Sequence, residues 1–100
     1  MKFIIPLSGN TIFTIMRKCG YAPESPDLKT TELRFHRLIG GRRYPKFHLY
    51  CKISPEHKTV LLNLHLDQKQ PSYKGTHAHS GEYEGPLLEA EVARIQHALL

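Results

Sequence analysis

Residues 47–67 read FHLYCKISPEHKTVLLNLHLD, and they decide the fold. From Phe47 to Ile53 the residues alternate: Phe47, Leu49, Cys51 and Ile53 line one face, while His48, Tyr50 and Lys52 line the other. From Val60 to Gln68 the pattern repeats. Val60, Leu62, Leu64 and Leu66 share the apolar face, which leaves Leu61, Asn63, His65 and Asp67 on the reverse. Strict alternation is the period of a half-buried strand. Between the two runs, Ser54 to Lys58 is short and holds a proline, which predicts a hairpin.

Register follows from the faces, because directly opposed residues of an antiparallel pair must share one. A four-residue loop, Pro55 to Lys58, pairs Ser54 with Thr59. Tyr50 then stands opposite Asn63 and His48 opposite His65. A shift of two residues sets His48 opposite Asp67 instead. Either register puts His48 beside His65 and Asp67.

Upstream, Glu32 to Ile39 (ELRFHRLI) alternates over most of its length, with Leu33 and Phe35 on one side and Arg34 and His36 on the other. Gly40 to Pro45 (GGRRYP) reads as a turn or loop carrying Arg42 and Arg43. Residues 21–30 (YAPESPDLKT) contain two prolines and no period, and read as a loop. Residues 10–19 read as a helix: Ile12, Ile15, Met16 and Cys19 make one stripe. Ser8-Gly9-Asn10 offers its cap and Gly20 its stop. Phe3-Ile4-Ile5 is a short strand or a buried strap, ended by Pro6.

Downstream, Pro71 to Gly75 breaks the strand pattern, and Thr76 to Glu84 reads as an ordered loop. Gly85-Pro86 opens a C-terminal helix with Pro86 at its first position. Its apolar stripe is Leu88, Val92, Ile95 and Leu99, with Glu89 and Glu91 near its positive end.

The expected architecture is one α+β domain over residues 1–100. It is a two-layer sandwich in the order α-β-β-β-α, with two helices on one face of an antiparallel three-stranded sheet. The sheet becomes four-stranded if Phe3–Ile5 joins it. Leu33, Phe35, Leu49, Cys51, Leu62, Leu64, Val92 and Ile95 are expected in the core. The opposite face carries Arg34, His36, His48, Tyr50, Lys52, Asn63, His65 and Asp67, whereas a merely solvated face carries mostly Lys, Glu, Thr and Ser.

One hundred residues support a single modest core. The formal charge of +5 and a sequence pI near 9.4 favour nucleic acid or other anionic partners, although no block of Lys/Arg forms a basic arm. Cys19 and Cys51 read as reduced core residues. MKFIIPL is too short for a signal peptide or membrane span, so no membrane partner is expected and a cytoplasmic location is the default.

Chemistry-bearing groups concentrate between Asn63 and Glu84, NLHLDQKQPSYKGTHAHSGEYE. His65 and Asp67 leave one strand face. His77 and His79, an H-x-H pair, point the same way if extended. These four are the expected metal ligands, for zinc or another divalent transition metal, with His48 or Glu82 as substitutes. A small histidine-rich metal-binding domain follows, with metal-dependent hydrolysis of a phosphorylated or nucleic-acid substrate as the activity it suggests. A metal-free catalytic reading instead uses His65 or His48 as general base, with Lys52 or Arg34 holding a phosphate. The alternative is a metal-free RNA or DNA platform of Arg34, Arg42, Arg43, Tyr50 and Lys52, cations meeting phosphates and Tyr50 stacking on bases.

The α-β-β-β-α layout resembles double-stranded-RNA-binding domains and the HicA-type mRNA interferase toxins. In the latter the first helix often ends in a Gly-aromatic pair, here Gly20-Tyr21, and a Gly-x-His motif sits at a strand. This chain has Gly-Gly-Arg-Arg-Tyr-Pro-Lys-Phe-His48 near that place, without the compact Gly-Ser-His. The resemblance implies an RNA-binding fold, with His48 in the place of the cleaving histidine. The stretch NLHLDQKQPSY followed by KGTHAHSGEYEG is also similar to one in small bacterial proteins, a resemblance that implies no activity.

Overall fold

Strands β4 (Lys46–Ser54) and β5 (Thr59–Asp67) form the expected hairpin at the centre of the sheet. Ser54 pairs with Thr59, Tyr50 with Asn63 and His48 with His65. The computed structural model describes residues 1–25, 29, 32–68, 81, 82 and 84–100. Phe47, Leu49 and Cys51 of β4 and Val60, Leu62, Leu64 and Leu66 of β5 are all buried. Each such side chain removed from water stabilises the fold by roughly 1.5–3 kcal/mol.

The three- or four-stranded sheet expected above is too small. Five strands run in the order β1-β5-β4-β3-β2, and a sixth, β6, pairs with β5 off that path. Here β1 is Lys2–Pro6, β2 Ala22–Pro23, β3 Leu33–Leu38 and β6 Gly81–Glu82. Helix α1 is Ile12–Lys18 and α2 is Pro86–Ala98, so the chain order is β-α-β-β-β-β-β-α and not α-β-β-β-α. The α+β class stands. Phe3-Ile4-Ile5 hides its strand character because it is apolar throughout, yet Ile4 points outward and is 64% exposed. The other two added strands have two residues each, too few to show a period. One lies within the supposed Tyr21–Thr30 loop, the other within the supposed Thr76–Glu84 loop.

The likeness to the RNA-binding layouts rested on the α-β-β-β-α order, and that order does not hold. Strand β1 enters the sheet before α1 and runs antiparallel to β5, Phe3 facing Leu62 and Ile5 facing Val60.

Ile12, Ile15 and Met16 of α1 and Leu88 and Ile95 of α2 join the same apolar cluster as β4 and β5. Both helices therefore cover one face, and among the described residues no helix lies on the other. Leu33 and Val92, expected in the core, are only partly buried and pack against it. Helix α1 begins later than expected. Its cap is Thr11, whose side-chain oxygen accepts the Thr14 amide at 3.2 Å, in place of Ser8-Gly9-Asn10. Gly20 follows at φ +89°, the left-handed turn that ends a helix.

Within the cover sits one buried ionic group. Glu91 of α2 accepts from Arg37 of β3 at 3.1 Å on each oxygen, from Arg94 at 2.7 and 2.9 Å, and from the Tyr21 hydroxyl at 2.6 Å. Burial pushes the Glu91 carboxyl up, but hydrogen bonds from Arg94, Arg37 and Tyr21 outweigh it and bring the pKa down to about 2. Burial and the bond to Glu91 in turn push the Tyr21 phenol far above its ordinary value. This group is a structural pin between α2 and the sheet.

Candidate metal centre on the open sheet face

Three histidines stand in one row across three strands: His36 of β3 faces His48 of β4, which faces His65 of β5. Period-two alternation places Arg34, Tyr50, Lys52, Asn63 and Asp67 on this same face. The row is closed at one end by Glu24, which follows β2, and at the other by Asp67, two residues beyond His65.

The distances tie these groups into one chain. Glu24 Oε2 lies 2.9 Å from His48 Nε2 and 3.1 Å from His36 Nδ1. On its other side, His48 Nδ1 touches Asp67 Oδ2. Asp67 Oδ1 lies 3.3 Å from His65 Nε2. The His48–Glu24 contact has hydrogen-bond geometry. His48 Nδ1 is shut off from solvent and faces its carboxylate without the alignment of a hydrogen bond. The Tyr50 ring stacks on His65 at 5.0 Å and 18°, which fixes that imidazole from one side.

Burial pushes the His65 imidazole below its ordinary value, while Asp67 pulls it back and His48 adds to the lowering. The outcome favours the neutral ring, the form that ligates metal. For Glu24, burial pushes the carboxyl up. The hydrogen bond from His48 and the charges of His48 and His36 outweigh it and leave the group below its ordinary value, hence ionised.

His48, His65 and Asp67 each offer a donor atom, and those atoms lie within 4.8 Å of one another. Two ligands bound at about 2.0–2.1 Å to a tetrahedral ion stand roughly 3.3 Å apart. The 3.3 Å between His65 Nε2 and Asp67 Oδ1 matches that spacing. A two-histidine, one-carboxylate set leaves a coordination position for water or substrate.

Of the four ligands expected from sequence, His65 and Asp67 come together here, joined by His48, the expected substitute. His77 and His79 lie outside the described residues, and so does the side chain of Glu82. Glu24 was not foreseen, since its stretch holds two prolines and no period and reads as a loop.

Of the expected nucleic-acid residues, Arg34 and Tyr50 face each other with Lys52 on the same sheet face, while Arg42 and Arg43 lie apart in the loop before β4. The Arg34 guanidinium is spent on the Ser25 carbonyl, at 2.7 and 3.1 Å. Tyr50 is stacked within the cluster. Arg42, Arg43 and Lys52 are exposed. Lys52 lies six residues along β4 from Lys46, about 20 Å from the strand end that adjoins the two arginines. No helix among the described residues is long and apolar enough to cross a membrane. No protein-family model, no curated protein and no solved structure matches the chain.

Proposed function

We propose that the protein binds a divalent transition metal, zinc in the first instance, through His48, His65 and Asp67. One observation carries the reading. His48 Nδ1, shielded from water, faces Asp67 Oδ2 out of line for a hydrogen bond. A nitrogen lone pair and a carboxylate oxygen repel one another unless a proton or a metal cation beside them offsets their charge. His65, held toward its neutral form, supplies the third donor on the same side.

With three protein ligands a metal keeps a position for water and lowers that water's pKa toward neutrality. The activity this favours is hydrolysis of an anionic ester, in keeping with the net charge of +5.

Calorimetric titration of the full chain with zinc tests the binding. Stoichiometric uptake is expected in the wild type, with at least a tenfold loss for His48→Ala, His65→Ala and Asp67→Ala. Affinities equal to wild type in all three variants refute the assignment. Zinc-dependent release of p-nitrophenol from bis(p-nitrophenyl) phosphate then tests the hydrolytic part separately.

A further inference from the structure

We propose that Glu24 is the positioning residue of this centre: it holds His48 with the proton on Nε2 and thereby presents Nδ1 to the metal. This rests on the metal reading above and names the group that sets its geometry.

A neutral imidazole carries one proton, and which nitrogen keeps it is set by the hydrogen bonds the two nitrogens make. At His48 the two nitrogens meet carboxylates in different ways. Nε2 lies 2.9 Å from Glu24 Oε2 with hydrogen-bond geometry. Nδ1 touches Asp67 without it. A carboxylate oxygen accepts, so the ring nitrogen that meets it in hydrogen-bond geometry is the donor, which puts the proton on Nε2. Nδ1 is then the unprotonated donor atom, within 4.8 Å of the donor atoms that His65 and Asp67 offer.

A carboxylate on the far nitrogen of a ligating histidine fixes its tautomer and ring angle and raises its basicity. Glu24 is well anchored for this work. Its backbone amide donates to Arg34 O at 2.8 Å, continuing the β2–β3 ladder. The same Oε2 also lies 3.1 Å from His36 Nδ1, so two rings of the row pack against one oxygen. Strand β2 is thereby made part of the centre although it contributes no ligand.

Long-range proton–nitrogen NMR on the metal-free, 15N-labelled full chain reads the tautomer directly. His48 should carry its proton on Nε2 in the wild type. In Glu24→Ala the proton should move wholly or partly to Nδ1, and Glu24→Gln should restore Nε2–H, because the amide oxygen still accepts. Zinc affinity should fall about 10- to 100-fold in Glu24→Ala and return to within a few-fold of wild type in Glu24→Gln. Nδ1–H in the wild type, or an unchanged tautomer and affinity in Glu24→Ala, overturns the proposal. An Nε2–H wild type that responds to Glu24→Ala but takes up no zinc supports the hold of Glu24 on His48 and overturns the metal reading instead. Matching circular dichroism and denaturation midpoints in the two variants separate both outcomes from unfolding.

Discussion

The Tyr21 hydroxyl donates a 2.6 Å hydrogen bond to Glu91 Oε2 and so joins the turn after α1 to the middle of α2, 70 residues on. Arg37 and Arg94 hold the same carboxylate. Removing a single partner strands the others. Glu91→Ala removes the shared acceptor from two partly exposed guanidiniums and from the buried Tyr21 hydroxyl, and should cost about 1–3 kcal/mol. Tyr21→Phe, which deletes one donor to a buried carboxylate, should cost about 1–3 kcal/mol. Urea denaturation checks both values.

The same carboxylate sets a pH dependence. Its folded pKa of about 2 lies below the ordinary 4.5. A group depressed by folding contributes stability that is complete above the unfolded value and is lost as pH falls through the folded one. The urea midpoint should therefore drop between pH 4.5 and 2. Glu91→Gln should be less stable at neutral pH and should show a flatter profile across that window.

Leu64 is fully buried in the middle of β5, between the two helices and the rest of the sheet. Leu64→Ala should cost about 2–5 kcal/mol. Leu61 is a useful contrast on the same strand. It points to the open face and is 38% exposed, so Leu61→Ala should move the midpoint much less. Equal losses for the two would mean that the faces are misassigned.

A metal that binds only the folded chain must also stabilise it. Zinc at a hundred times its dissociation constant should add about 2.7 kcal/mol. A thermal melt with and without zinc reads this as a rise in midpoint that a chelator reverses. His65→Ala should lose the rise while keeping a cooperative transition.

The hairpin at the heart of the sheet could be read down to its register. Both of its strands alternate strictly, and a one-residue slip would turn every leucine of β5 to water. From that register alone, His48 lies beside His65 and Asp67. The sheet's flanks could not be read in the same way. Phe3-Ile4-Ile5 gives no alternation, and Ala22-Pro23 is too short to give any. Because β2 was hidden, Glu24 was hidden with it. Glu91 did leave a trace: it falls at i+3 from Leu88, inside the apolar stripe, where a lone carboxylate demands partners. Which arginines answer it depends on how α2 lies over β3, and no local pattern encodes that.

Pro23 has a consequence of its own. Glu24 N–H is bonded to Arg34 O, and donors along an antiparallel strand point alternately to either side. The nitrogen of Pro23, paired with Phe35, therefore faces away from β3, on the side of β2 that pairs with no strand among the described residues. At that position the flank presents no donor, and the strand is only two residues long. An incoming strand finds one ladder donor missing there, which disfavours edge-to-edge growth along this border while Glu24 stays beside its histidines.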